Sequence, residues 1–392
     1  MEIHKLAFLK SRAKSKVMFI DLNLEPGGSV ISIVDLAKKL ADQGFGSILI
    51  KPRGNLWDGI VNLGDLNVFQ VLSYPWVQHR SLDNHLLRKI KRKIKSVINF
   101  GSEIKIFLLV KFYQVEFVHI NTANFQIGHK AARWADVKLV WHIREVLDLG
   151  HNTAFHNPEF AKLMISSADL VIGNSKATCS VWADILDRPV ELAYNGISPS
   201  FLNQNRRLFQ KSEITLGIVG RICENKGQYH FIKSISALMD LDLNLKVRIV
   251  GDGDISEKQK LIDYVQKNSL ESVVSFQPAT NDIRRVYTEC DIVCVCTEFE
   301  AFGRVTVEAL LSGCLVIGAN TGGTCEIIEH DVSGYLYRWG DHLDLKEMIL
   351  KALNSPEKSR VVAKAGQEYA VKKFLLDEHV DRIKGLYRSQ HT

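Results

Sequence analysis

Two glutamates stand eight residues apart around a Phe-Gly in the run T-E-F-E-A-F-G-R-V-T-V-E-A-L (297–310), Glu300 before it and Glu308 after it. The apolar run D-I-V-C-V-C (291–296) leads in like a strand, and V-T-V-E-A-L-L-S-G leaves with helical spacing. Phe302 and Gly303 therefore sit near a strand-to-helix turn, with Glu308 about one turn into the helix, past Arg304. A helix start presents unpaired amide N–H groups and the positive end of the helix dipole. Two carboxylates beside such an end suit a ligand that carries both hydroxyls and phosphates. Taken alone, the pair reads more simply as a solvated Glu300 and a Glu308 that complements the dipole.

A second group of residues bears on the choice. G-R-I-C-E-N-K-G (220–227) places Arg221 and Lys226 in the loop after the strand pattern I-T-L-G-I-V-G (214–220). That carboxyl edge is where open α/β sheets bind ligands. Arg forks two phosphate oxygens and Lys adds a point charge, although two solvated loop cations would look the same. Gly27-Gly28, after the strand pattern K-V-M-F-I-D-L (16–22), would let backbone approach an anion closely. G-D-G-D (251–254) imitates an acidic metal motif but reads more naturally as a glycine turn with solvated aspartates. No P-loop, no G-x-G-x-x-G after the first strand and no G-x-S-x-G elbow is present.

The elements that must position these residues alternate strand and helix almost throughout, the pattern of parallel sheets with crossover helices. Strands are expected at 16–22, 47–50, 117–120, 138–143, 169–172 and 190–193, and a helix after Gly28 with Ser29 as its cap. The polar, unperiodic stretch 198–212 reads as a linker. A second series follows, with strands at 214–220, 246–251, 273–276, 291–296 and 315–318 and helices near 228–239, 256–268, 303–312 and 343–353. Two doubly wound α/β domains in tandem are expected, with a ligand cleft between them.

Composition agrees with a globular protein: 392 residues, 46% hydrophobic and 24% charged. Seven scattered cysteines without a C-x-x-C pair support neither a disulfide framework nor a zinc site. No apolar run is long enough to span a bilayer and the start lacks a secretory signal, so a cytoplasmic location is expected. Net charge is +6, and L-L-R-K-I-K-R-K-I-K (86–95) alone carries six cations: Arg88, Lys89, Lys91, Arg92, Lys93 and Lys95. The rest of the chain is balanced, which argues against a nucleic-acid surface. Leu87, Ile90, Ile94 and Val97 recur at helical spacing, so the segment reads as a basic amphipathic helix suited to an anionic membrane surface. A core-packed helix with a solvated basic face is the competing reading.

The ordered set of motifs resembles the retaining glycosyltransferases of family 4, with GT-B architecture. The resemblance is carried by Gly27-Gly28, W-H-I-R-E (141–145), A-D-L-V-I-G-N-S (168–175), N-G-I (195–197), G-R-I-C-E-N-K-G, V-G-D-G (250–253) and the run from Glu298 to Leu336. It implies two Rossmann-like domains, 1–200 and 201–374, with the C-terminal helix 375–392 packing back on the first. By the same resemblance Glu300 meets the donor sugar's hydroxyls and Glu308 the ribose. Arg221 and Lys226 hold the diphosphate, backbone at Phe302 and Gly303 meets sugar and phosphate, and His142 lines the sugar site from the first domain. Arg304 and Arg144 are candidates for donor and acceptor contact. Ala301 replaces a usual glycine, which would strain the turn if positive φ were needed there.

The implied activity is transfer of a hexose-type sugar from a nucleoside-diphosphate sugar to a glycan acceptor, with retention and no metal or cofactor. The basic helix points to a lipid-linked acceptor in bacterial envelope polysaccharide assembly, at the inner face of the cell membrane. The alternatives are a GT-B nucleotide-sugar epimerase and a non-catalytic nucleotide-sugar binding protein.

Overall fold

The computed structural model describes residues 15–79, 85–147 and 153–391. The chain divides into two compact units. The first takes the residues up to Gly196 and those from Leu376 onward, and the second is Ile197–Leu375. Each is built on a parallel sheet with helices on its faces.

In the first unit, β1 (Lys16–Ile20), β2 (Gly46–Pro52), β3 (Asn67–Val71), β5 (Phe117–Ile120), β6 (Lys138–Ile143), β8 (Leu170–Gly173) and β9 (Glu191–Leu192) pair in parallel in the order β3-β2-β1-β5-β6-β8-β9. The strands β1, β2 and β5 are buried along their whole length, so they read as continuous apolar runs rather than alternating ones. Helices α1 (Gly28–Asp42), α2 (His85–Tyr113), α3 (His129–Ala135), α4 (Pro158–Ser166) and α5 (Lys176–Leu186) make the connections. A small antiparallel pair, β4 (Val77–His79) with β7 (Thr153–Phe155), lies apart from the main sheet. Apolar core lies on both faces. Trp76, Trp141 and Val118 belong to one side, and Phe19, Val140 and Val380 to the other.

The second unit orders β10 (Ile214–Val219), β11 (Leu245–Val250), β12 (Val274–Gln277), β13 (Ile292–Val295), β14 (Leu315–Ala319) and β15 (Tyr335–Tyr337) as β12-β11-β10-β13-β14-β15. Its helices are α6 (Gln228–Ser236), α7 (Ile255–Lys267), α8 (Ile283–Glu289), α9 (Arg304–Leu311), α10 (Thr324–Ile327), α11 (His342–Asn354) and α12 (Pro356–Phe374). The last helix, α13 (Leu376–Arg388), belongs to the first unit. Both main sheets are doubly wound, and strand order reverses beside β1 in the first and beside β10 in the second. Such reversals open the crevice in which this fold class binds ligands.

Three local expectations are corrected. Gly27, not Ser29, is the N-cap of α1, and Ser29 lies in the first turn with its hydroxyl accepting from the Asn23 amide at 3.3 Å. The stretch 198–212 is a strap on the second unit rather than a free linker. Arg206 donates to the carbonyls of Thr288 and Cys290, the Phe209 N–H donates to Asp291 at 2.9 Å, and Leu208 is buried. The basic helix is also far longer than its charged segment, running to Tyr113.

Candidate functional site

In the second unit, the loops after the neighbouring strands β10, β13 and β14 converge. The β10 loop ends at Gly227, whose φ of +71° and closeness to the next strand both exclude a side chain. A Cβ there would stand 2.1 Å from the Cys296 carbonyl oxygen. That approach seats the loop against the one after β13. The Glu298 N–H donates to the Asn225 carbonyl at 2.8 Å, and the Lys226 ammonium donates to Glu300 Oε1. The Thr297 hydroxyl donates to the same oxygen at 2.9 Å. From the third loop, the Gly323 N–H donates to the Glu300 carbonyl at 2.7 Å, and a Cβ on Gly322 would sit 2.3 Å from that same oxygen. Three loops thus fix a carboxylate beside an ammonium at the second sheet's switch point.

Arg221 stands exposed at the start of the β10 loop, while its carbonyl accepts from the Gln228 side chain at 2.9 Å. Phe302 is buried, and Gly303, at φ +106°, caps α9. Positive φ falls on Gly303 and Gly322, and Ala301 is not among the residues with positive φ, so the replacement at 301 strains nothing.

Arg304 reaches forward along its own helix and pairs with Glu308 Oε1 at 3.2 Å. The Tyr287 hydroxyl donates to Glu308 Oε2 at 3.0 Å, and burial together with that carboxylate holds the phenol well above its ordinary pKa. Glu308 therefore is a buried, clamped carboxylate rather than a solvated dipole partner. Asp254 of G-D-G-D caps α7 by accepting from the N–H groups of Ser256 and Glu257. Asp252 accepts from the Ala279 N–H at 3.0 Å. Among the described residues no cluster of three or more His, Cys, Asp or Glu could hold a metal.

The first unit holds a buried polar network at the carboxyl ends of β1, β5 and β6. Arg144, expected to reach an acceptor, is instead enclosed, with 6% of its surface exposed. Its Nε donates to Asn121 Oδ1 at 2.6 Å, one terminal nitrogen to Asn195 Oδ1 and the other to His142 Nδ1 at 3.3 Å. Asn121 in turn donates to Asp21 at 2.6 Å. The adjacent Glu145 accepts from Thr122 and from the Ala123 N–H at 2.6 Å, and burial raises the carboxyl pKa of both Asp21 and Glu145.

Arginine only donates, so His142 Nδ1 accepts and the proton rests on Nε2. The neighbours agree. The Tyr387 hydroxyl lies 2.6 Å from His119 Nδ1, and His119 Nε2 lies 3.2 Å from His142 Nδ1. The line of donors runs from Tyr387 through His119 to His142, whose buried Nε2 has no hydrogen-bond partner among the described residues. Burial first, then Arg144 and neighbouring histidines, holds both rings well below the usual histidine pKa and hence neutral. Gly27 leaves open space where its Cβ would be, with an ordinary negative φ, and Gly28 opens α1.

The structure brings the expected Lys226 and Glu300 together, and beside the expected residues it places four that the sequence did not single out: Thr297 and Gly322 at Glu300, Tyr287 at Glu308 and His119 at His142. A histidine inside F-V-H-I was a usable signal for the last, since an apolar strand accepts a polar ring only if something pairs with it. Of the membrane candidates, Lys93 and Lys95 are exposed on α2, and the side chains of Arg88, Lys89, Lys91 and Arg92 lie outside the described residues.

Residues 201–369 match the family described as Glycosyl transferases group 1. An uncharacterized glycosyltransferase of Methanocaldococcus jannaschii, MJ1178, is 26% identical over 230 residues, 58% of this chain and 62% of that protein. The capsular polysaccharide biosynthesis glycosyltransferase CapM of Staphylococcus aureus is 23% identical over 202 residues, 50% of this chain and 53% of its own length. These matches therefore span little more than half of each relative. Among solved structures, Anabaena Alr3699/HepE in complex with UDP and glucose superposes with a TM-score of 0.78 at 22% identity, covering 96% of this chain and 100% of that one. The chain thus has the two-domain Rossmann-like fold of the GT-B glycosyltransferases, and its second domain is similar along most of its length to the glycosyl transferases group 1.

Proposed function

We propose that the protein is a glycosyltransferase that moves a hexose from a nucleoside-diphosphate sugar to a glycan acceptor, with retention at the anomeric carbon. The observation that carries the proposal is the Lys226–Glu300 pair at the second sheet's switch point, with Arg221 in the same loop as Lys226 and α9 starting just after the loop that holds Glu300. An ammonium and a guanidinium suit the diphosphate, and the carboxylate beside them suits the hydroxyls of the sugar that the diphosphate carries. Glu308 accepts the ribose hydroxyls, in exchange for part of its contact with Arg304. In the first unit, His142 keeps a buried Nε2–H that no described residue accepts, which suits it to a sugar oxygen.

As the C1–O bond breaks, its electron pair passes to the leaving phosphate. Arg221, Lys226 and the helix amides stabilise that charge, each such preorganised donor contributing roughly 3 kcal/mol. The acceptor oxygen attacks C1 from the face the phosphate leaves, and its proton passes to the departing phosphate. Cations of the chain take the neutralising role, so no metal enters this scheme. Glu300 and Glu308 are not the acid and nucleophile of a glycosidase. The similarity to a capsule-forming glycosyltransferase supports a role in bacterial envelope polysaccharide assembly, and the basic α2 supports a lipid-linked acceptor at the inner membrane surface.

A panel of nucleotide sugars screened by thermal shift will identify the donor. Proton NMR of the product with a lipid-linked glycan acceptor and excess chelator then tests transfer, retention and metal independence together. Sugar conversion with donor alone, and no transfer, would overturn the proposal in favour of an epimerase. Binding with neither would leave a nucleotide-sugar carrier.

A further inference from the structure

The outward face of α2 is apolar where a water-facing helix should be polar. Ile94, Val97, Phe100, Ile104, Leu108 and Phe112 follow one another at spacings of three and four, and their exposures run from 42% to 71%. The inward face is a separate set, with Asn99, Glu103, Ile106, Val110 and Tyr113 buried. The stripe is therefore surplus to the core, and it is roughly 27 Å long at the helical rise. Trp134 of α3, 44% exposed, extends it sideways by edge contacts with Phe100 at 5.7 Å and Phe107 at 6.2 Å. Isolated exposed apolar residues are ordinary, whereas a contiguous stripe with two aromatic anchors marks an interaction surface.

Charge selects the occupant. The sequence of α2 holds eight Lys or Arg and one acid, Glu103, which faces inward and accepts the Ala131 N–H at 2.9 Å. Lys93 and Lys95 are exposed, Lys130 lies 5.6 Å over the Phe100 ring, and Lys105 reaches the Gln70 carbonyl. A second copy meeting this face would bring cations against cations. The stripe, about 10 Å wide, offers on the order of 300 Å², well short of the roughly 800 Å² per partner of a stable dimer. An anionic bilayer supplies both an apolar layer and the opposite charge.

We infer that α2 docks in the plane of an anionic membrane by burying the stripe from Ile94 to Phe112, with Trp134 at its edge, so that insertion and not charge alone holds the protein there. This rests on the membrane-facing reading above and extends it from the basic segment to residues that carry no charge.

The test is cosedimentation of the full chain with phosphatidylglycerol vesicles and with phosphatidylcholine vesicles, at low and high salt. Wild type is expected to partition to the anionic vesicles and to retain part of its binding at high salt, because buried apolar area is not screened. Leu108→Ser combined with Phe112→Ser is expected to lower partitioning at least tenfold, while donor hydrolysis without vesicles stays at the wild-type level. Brominated acyl chains are expected to quench wild-type fluorescence, with the quenching reduced in Trp134→Phe. Binding unchanged in the serine variant would overturn the inference. So would a salt-sensitive dimer, dispersed by the same variant, with no vesicle binding. Vesicle binding without any glycosyl transfer would sink the activity and leave the docking surface standing.

Discussion

Lys226 and Glu300 are both partly exposed, at 31% and 18% of their side chains, so their mutual attraction contributes little to stability. Their value lies in position. Lys226→Ala is expected to slow transfer by about a hundredfold, the loss of one oriented cation, with a melting temperature within a degree or two of wild type. Turnover and calorimetry on the same preparation check both halves, and unchanged turnover removes Lys226 from the site. Glu300→Gln is expected to depress transfer while nucleoside-diphosphate affinity holds. Glu308 behaves differently because its oxygens are already engaged. Glu308→Gln is expected to weaken nucleoside-diphosphate binding and also to destabilise the fold by about 1–3 kcal/mol, as Tyr287 and Arg304 lose a charged partner. Isothermal titration with urea unfolding separates the two effects. Lys226 and Glu300 were legible because residue type and loop position pointed the same way. Arg144 was not, since nothing in W-H-I-R-E tells a buried amide-bound guanidinium from an exposed one.

At the scale of elements, the contact of α2 with α3 holds a titrating group. Burial pushes the Glu103 carboxyl up to about 7, against the lowering pull of the Ala131 N–H and its neighbours. The folded state therefore holds this proton more tightly than the unfolded one, whose value is near 4.5. Glu103 favours folding below that value, and the contribution is lost as pH rises to about 7, a swing of about 3 kcal/mol. Glu103→Gln keeps an acceptor for the amide and does not titrate, so its stability relative to wild type is expected to rise between pH 5 and pH 8. Urea unfolding at the two pH values reads the change, and a constant difference would refute it. The strands were legible because fully buried parallel strands are apolar runs. The strap 198–212 was not, because Arg206 and Leu208 pack through single anchors without a period. The short β15 and the β4–β7 pair have too few residues to show any pattern.

At the scale of the whole molecule, sequence alone conveyed two α/β domains, because strand and helix patterns alternate through both halves of the chain. It could not convey how tightly the last helix is tied in. Tyr387 of α13 stacks on Phe117 at 4.6 Å and bonds His119, and a Cβ on Gly196 would strike Leu376 Cα at 2.7 Å. Tyr387→Phe is expected to cost about 1 kcal/mol through the lost hydrogen bond and to reduce transfer, since His119 then orients His142 less firmly. Equal stability and turnover in the variant would show that the histidines need no such anchor.

Because the first unit is interrupted after Gly196 and resumed at Leu376, its sheet is translated before the second unit and its covering helix after it. The two crossings lie side by side, with the Ile197 N–H donating to the Phe374 carbonyl at 2.8 Å, so the inserted unit has its ends already joined. On the ribosome, where domains fold as they emerge, the second unit is therefore complete while Phe117 and His119 of the first still face water. The unit begun first is completed only after the inserted one, and a chaperone that binds exposed strands would find its target there until the segment from Leu376 onward arrives.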